Sequence, residues 1–343
     1  MQHPYSFGMS FPVTVQPGGH TFEVAPGESV LDAALRQGVR LPYGCRDGAC
    51  LTCRARLVAG EVVYPAGPPP GLTEAERAAG AFLPCLARPC GPLVMEADVM
   101  ADDEPAAVHT MPCRIQEKVQ LSHDVVLLRL KLPAGRRLAF RAGQYIEILL
   151  RDGRKRAFSI ANAPHDDAFI ELHVRHVDGG RFTTEVFESL GEKDILRIEG
   201  PKGGFYLRQQ SPRPAILMAG GTGFAPVKGM VEDALARGLA KPLHIYWGAR
   251  TRADLYMDEL PRRWAAEHAH VHYVPVLSEP GADWSGRSGL VTGAVAADFP
   301  DLSGFDVYAA GPPAMVHAGF DLFRRQGLPL EQYYADAFEF AGD

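Results

Sequence analysis

The spacing of apolar positions along the 343 residues changes character twice. Up to about residue 98 it is short-ranged. Alternation in VTV (13–15) and HTFEV (20–24) across a QPGG turn predicts a β-hairpin. ESVLDAALRQ then puts Val30, Leu31, Ala34 and Leu35 on one helical face, with Gly38 as the stop. A glycine- and cysteine-bearing loop follows. RARLVAGEVV reads as a second hairpin, and PAGPPPG (65–71) is loop by composition. Small strands and short helices around one long loop predict a compact α+β unit over residues 9–98.

The acidic, proline-containing ADDEPAAVH (101–109) suits a linker, which we place at 99–109. Five strand-like runs (VVLLRLKL, QYIEILL, RAFSIAN, AFIELHVR and ILRIEG) then alternate with Gly, Pro and Asp turns. This spacing predicts an antiparallel β-barrel or sandwich over 110–210. One helix interrupts it at about 181–190. From 211 to 343 strands and helices alternate: PAILMAG, LHIYWGA, VHYVPVL and DVYAAG each precede a helical pattern, and EQYYAD reads as a last strand. Repeated βα units predict a parallel sheet covered on both faces.

Composition adds exclusions. A net charge of −6 argues against nucleic acid as a partner. No apolar run approaches the roughly 18 residues of a membrane span. MQHPYSFGMSF has no basic, apolar leader pattern, so the expected location is the cytoplasm, with residues 1–8 a loose tail. Reduced thiols clustered there bind metal more often than they pair.

Three of the six cysteines fall in YGCRDGACLTC. Cys45, Cys50 and Cys53 form C-x4-C-x2-C, and Cys85 follows after 31 intervening residues in FLPCLARP. That is the spacing of plant-type [2Fe–2S] ferredoxins. Each iron needs two thiolates, and Gly44 and Gly48 let the loop wrap close. Tetrahedral zinc would call for paired C-x2-C knuckles, and one such pair is present. Cys90 and Cys113 fall outside the pattern as bystanders.

With these motifs in order, the chain resembles the ferredoxin-fused flavin reductases of the ferredoxin–NADP reductase superfamily, over essentially residues 10–343. The group includes reductase components of bacterial oxygenases and the CDP-6-deoxy-Δ3,4-glucoseen reductase type. The resemblance implies a multidomain chain: a β-grasp [2Fe–2S] ferredoxin, an antiparallel flavin barrel and an α/β nicotinamide domain. It also implies roles. RKRAFSIAN is similar to the family's Arg-x-Tyr-Ser flavin motif, although by itself it is also an ordinary alternating strand. Arg156 would meet the flavin pyrophosphate, Ala157 is the variable position, Phe158 would pack on the isoalloxazine, and Ser159 would bond near N5. Gly180 and Thr183 match a Gly-x-x-Ser/Thr diphosphate site at a helix start. His173, Val174 and Arg175 belong to the adjoining cofactor-binding strand, with His173 and His176 expected to be solvated and not catalytic. EGPKGGF (199–205) matches a third flavin loop. The N-terminal ferredoxin implies FAD rather than FMN.

GGTGFAP supplies Gly220, Gly221, Thr222, Gly223 and Pro226 for a dinucleotide. YWGAR and YAAGPPAMV add Arg250, Gly311 and Pro312. Three positions depart from the family: Phe158, where Tyr is usual and whose stacking is kept while a hydroxyl contact is lost; Leu51, where Gly or Ser is usual; and Ala310, where a cysteine usually adjoins the nicotinamide. In YYADAFEFAGD, Phe338, with Phe340 second, would be the aromatic covering the flavin. Arg250 and Arg252 suit either a 2′-phosphate or solvent and do not choose between the dinucleotides; the cofactor is taken as NADH, with NADPH open. The implied activity passes a hydride from NAD(P)H to FAD, then single electrons through [2Fe–2S] to a partner protein. That partner is an oxygenase or hydroxylase component, or a pyridoxamine-phosphate-dependent deoxysugar dehydratase. The reductase is expected to be a monomer. A reading of another class, a non-catalytic iron–sulfur sensor or carrier, predicts no NAD(P)H turnover.

Overall fold

The computed structural model describes residues 9–44, 46, 48–97, 99 and 108–338. The expectations for the N-terminal tail, Cys45, Phe340 and most of the linker lie outside these residues. The chain divides into two compact units, Met1–Pro105 and Ala106–Asp343.

In the first unit, β1 (Phe11–Gln16) and β2 (His20–Val24) form the expected hairpin. Helix α1 (Val30–Arg36) starts where the Ser29 hydroxyl accepts from the Asp32 N–H at 3.1 Å, an N-cap its sequence provides. Its buried face is Val30, Leu31, Ala33 and Ala34. The second predicted hairpin is not one. β3 (Ala55–Ala59) pairs with β5 (Ala81–Phe82) and β7 (Leu93–Glu96), whereas β4 (Val62–Val63) pairs with β6 (Arg88–Pro89) in a separate ribbon. Gly60, at φ +94°, redirects the chain between them; a Cβ there would sit 2.5 Å from the Pro92 carbonyl oxygen. The sheet order is β2-β1-β7-β3-β5, with the short helix α2 (Glu74–Ala78) beside it.

The second unit opens with β8 (His109–Gln120), which begins inside the predicted linker because His109 pairs with Gly200. It continues with β9 (Val125–Lys131), β10 (Tyr145–Leu149), β11 (Lys155–Ser159), β12 (Ile170–Arg175), helix α3 (Arg181–Glu188) and β13 (Ile195–Lys202). Every pairing in the order β11-β10-β13-β8-β9-β12 is antiparallel. The two edge strands meet through the Ile160–Leu172 bridge, so the sheet closes into a barrel.

The same unit continues as the predicted parallel sheet, order β17-β16-β15-β14-β18-β19. Its elements are β14 (Ala215–Gly220), α4 (Phe224–Ala236), β15 (Leu243–Ala249), α5 (Glu259–Glu267), β16 (Val271–Leu277), β17 (Arg287–Ser288), α6 (Val291–Asp298), β18 (Asp306–Gly311), α7 (Pro313–Arg325) and β19 (Tyr333–Ala337). Helix α5 starts later than its periodicity suggests. Thr251 and Asp254 cap a preceding 3-10 turn, and Leu255 and Tyr256 are drawn into the core. Helix α4 is buried almost all round. Val125, Ala142, Phe205 and Leu207 of the barrel share one core with Leu217, Phe224, Trp247 and Tyr308 of the sheet. No helix among the described residues is long and apolar enough to cross a membrane.

A titratable ring lies in the sheet's packing. His244 stacks on His272 at 4.7 Å and meets Phe299 edge-on at 5.0 Å. Burial, helped by the His272 charge, lowers its pKa to about 4. The unfolded chain therefore binds the proton more readily than the folded one, and stability falls as pH drops from about 6.5 toward 4. Thermal unfolding across this window should show a loss of Tm in the wild type that His244→Phe reduces.

Candidate functional site

The cysteine loop is a strained turn. Arg46, Gly48 and Leu51 have φ of 66°, 84° and 61°. A Cβ on Gly48 would sit 2.6 Å from Leu86 Cδ1, and one on Gly71 would sit 2.5 Å from the Gly48 carbonyl oxygen. The loop is thus clamped between the 69–71 segment and the residue after Cys85. Leu51 takes the left-handed backbone at a cost of about 1–2 kcal/mol. Its side chain is buried, which returns about 1.5–3 kcal/mol. Burial is of a size to offset the strain, so leucine is tolerated there.

Cys50, Cys53 and Cys85 are buried. The hydrogen bond with Cys85, burial, and the neighbouring Cys85 and Cys50 sulfurs push the Cys53 thiol well above its usual value. Thiols this close resist ionisation unless a cation joins them, and thiolate is the form that ligates iron. The donor set therefore fits an iron–sulfur cluster. Cys90 is exposed, and Cys113 lies in the barrel core, where burial pushes its pKa up to about 12.

In the second unit the flavin motifs converge. Phe158 on β11 and Phe182 on α3 lie 5.6 Å apart, tilted at 53°. This brings the Arg156–Ser159 run beside the start of α3, where Gly180 is the N-cap and the Thr183 hydroxyl donates to the Gly180 carbonyl at 3.0 Å. Gly203 packs on the Tyr145 ring, Tyr145 pairs with Ser159, and Gln144 Nε2 donates to the Gly203 carbonyl at 2.9 Å. Ser159 is buried, and its hydroxyl donates to Asp336 Oδ2 at 3.2 Å.

The dinucleotide turn is tightly fitted. A Cβ on Gly223 would lie 2.0 Å from the Ala310 carbonyl oxygen, so the Gly220–Gly223 turn packs directly on the Gly311–Pro312 segment. Trp247 Nε1 donates to the Gly221 carbonyl at 2.9 Å, and the Trp247 and Phe224 rings stack at 3.9 Å. Ala310 is fully buried. Arg175 reaches from β12 over this turn: its Nη1 is 2.7 Å from where a Gly221 Cβ would be, while its Nε pairs with Asp124 Oδ2 at 3.1 Å. The Phe338 N–H donates to the Gly311 carbonyl at 2.9 Å, so the C-terminal segment runs along the same turn.

Comparison with known proteins separates these arrangements by family. Residues 13–90 match the family model of the 2Fe-2S iron-sulfur cluster binding domain, 112–206 the oxidoreductase FAD-binding domain, and 217–319 the oxidoreductase NAD-binding domain. The CDP-6-deoxy-L-threo-D-glycero-4-hexulose-3-dehydrase reductase of Yersinia pestis is 38% identical over 330 residues, covering 96% of this chain and 99% of that protein. The chain belongs to the ferredoxin-fused flavoprotein reductases of the ferredoxin–NADP reductase superfamily. The reductase component DmpP of phenol 2-monooxygenase from Pseudomonas sp. (strain CF600) is 37% identical, covering 98% of this chain and 96% of that one. The solved structure of Amycolatopsis cytochrome P450 reductase GcoB is similar at a TM-score of 0.76 and 35% identity, covering 96% and 98% of the two chains.

The reductase is thus an NAD(P)H-dependent oxidoreductase with [2Fe–2S], FAD and nicotinamide dinucleotide as cofactors. Two site features escaped the sequence. Asp336 stands 177 residues from Ser159, and no local spacing links them. His173 is not solvated: its ring is fully buried, with Nδ1 3.0 Å from the Tyr256 hydroxyl and Nε2 3.3 Å from Glu171 Oε1. Alternation along β12 fails as a guide because this strand is covered on both faces, by barrel and by sheet. His176 is half-buried against Phe187.

Iron and labile-sulfide analysis should show cluster loss in Cys85→Ser and full content in Cys90→Ser and Cys113→Ser. A full cluster in Cys85→Ser would contradict the ligand set.

Proposed function

We propose that the reductase takes a hydride from NADH onto FAD and passes single electrons through its [2Fe–2S] cluster to an oxygenase or hydroxylase component. Cys45, Cys50, Cys53 and Cys85 hold the cluster. Arg156 and the α3 start, with Gly180 and Thr183, hold the flavin nucleotide's phosphates, and Phe158 packs on its ring. Gly220–Gly223, Pro226, Gly311 and Pro312 receive the dinucleotide. Arg250 lies at the end of β15 with Asp254 Oδ2 3.8 Å from its Nε; this carboxylate gives it a partner other than a 2′-phosphate, which favours NADH. The observation that carries the reading is the Ser159–Asp336 bond, because an acid then stands beside the hydroxyl expected near the hydride acceptor.

The balance of the reaction gives that pair a task. Each NADH delivers two electrons and one hydrogen, and only the electrons leave through the cluster. One proton must therefore leave the flavin site per turnover. The Ser159 hydroxyl can pass it to Asp336 Oδ2. Phe338 follows β19 directly, with its N–H on the Gly311 carbonyl; its ring would cover the position where nicotinamide stacks and yield to it. On this reading the reductase acts as a monomer in the cytoplasm.

A pyridoxamine-phosphate-dependent deoxysugar dehydratase is the second acceptor reading. It is favoured by the 38% identity to the Yersinia dehydrase reductase across nearly the whole chain.

Two measurements test the route. In Cys85→Ser, NADH-dependent ferricyanide reduction should persist while cytochrome c reduction falls sharply; equal loss of both would refute the order of carriers. Asp336→Asn should keep FAD yet lower kcat on the order of 10²-fold with little change in KM, the scale of a lost proton-transfer group. Its solvent isotope effect should also rise.

A further inference from the structure

Helix α4 runs from the dinucleotide turn into the seam between barrel and sheet, and it carries a lysine there. Lys228 is 6% exposed. Its ammonium meets three acceptors: Glu171 Oε1 at 3.1 Å, Glu232 Oε2 at 3.0 Å and the Ala161 carbonyl at 3.3 Å. The Glu232 and Ala161 contacts are hydrogen bonds, and the Glu171 contact is an ion pair. Burial works against the Glu171 carboxylate, but His173 and Lys228 outweigh it and hold its pKa at about 2. Burial lowers the His173 pKa, which leaves the ring neutral. Tyr256, kept protonated by burial, then donates to Nδ1, and Nε2–H donates to Glu171. Beyond Tyr256 lies Trp247, at 5.1 Å between ring centres, which holds the Gly221 carbonyl.

A buried ion pair is weak evidence for stability, because desolvation offsets most of its attraction. An apolar side chain could fill the same volume. What the charges add is direction. Ala161 is two residues past Ser159, and Lys228 is five residues past Gly223 on a continuous helix. The next residue reinforces the contact: a Cβ on Gly229 would meet the Asn162 carbonyl oxygen at 2.9 Å and that of Ile160 at 3.3 Å. Helix and strand end therefore touch backbone to backbone, with the ammonium fixing their rotation.

We infer that Lys228, through Glu171 and the Ala161 carbonyl, is a positioning residue that sets the approach of the bound nicotinamide to the flavin beside Ser159. The inference rests on the hydride-transfer reading above. Lys228 acts through these contacts: it holds the turn that receives one cofactor in register with the strand that holds the other. Reactions of this kind are sensitive to such register, since a displacement of about 1 Å costs on the order of 10²-fold in rate.

The test is anaerobic rapid mixing of the full-length holoprotein with NADH, following flavin bleaching and the nicotinamide–flavin charge-transfer absorbance. Lys228→Met should keep its FAD, lose charge-transfer absorbance and reduce the flavin at least about tenfold more slowly at saturating NADH. Lys228→Arg should recover part of the rate. Gly229→Ala leaves every charge in place but wedges the helix from the strand, and it should slow the same step. If Lys228→Met does not fold, Gly229→Ala decides alone. FAD-loaded variants that reduce at the wild-type limiting rate overturn the inference, as does a change confined to NADH affinity. No flavin reduction in the wild type would overturn the hydride-transfer reading as well; equal rates in wild type and variants overturn this inference alone.

Discussion

A hydride crosses only a contact distance, so the reductase unit depends on one constraint: the barrel and the parallel sheet must hold a fixed register. The shared core supplies the adhesion. Phe205 and Leu207 from the barrel pack among Leu217, Phe224 and Trp247 from the sheet. Apolar burial is strong but non-directional, and it would tolerate sliding. Direction comes from the backbone-to-backbone contact of Gly229 on Asn162, which allows no side chain, and from the charges around Lys228. Adhesion and alignment are thus carried by different residues in one seam.

The ferredoxin unit solves a different problem with similar means. Its loop must present several sulfurs to one object, and three left-handed positions bend it to do so. Leu51 shows how the balance is struck. Backbone strain that glycine would avoid is accepted because the side chain closes the loop against Gly71. The reducing power of such a site depends on what surrounds the sulfurs, and a buried leucine keeps water from that part of the loop.

Much of this is legible in the sequence. The change from alternation to βα repeats locates the barrel and the sheet, and the C-x4-C-x2-C spacing by itself points to the cluster. The failures have physical causes. RARLVAGEVV looks like a hairpin because its two runs flank a glycine, yet their partners come from residues 81–96, and pairing over such distances leaves no local mark. His173 reads as an exposed alternating residue until a second layer covers the strand. Asp336 and Lys228 are single charges in unremarkable surroundings; their meaning comes only from the tertiary contacts that bury them.

The Ser159–Asp336 bond closes a loop of 177 residues, nearly the whole span from flavin strand to final strand. Such a contact can exist only when everything between is folded, since its closure entropy is met by the intervening structure. A molecule that has opened along β19 can keep its antiparallel barrel strands paired, but it loses the Ser159–Asp336 bond. That bond is therefore a marker of the docked final strand, present only when both ends of this long loop are in place.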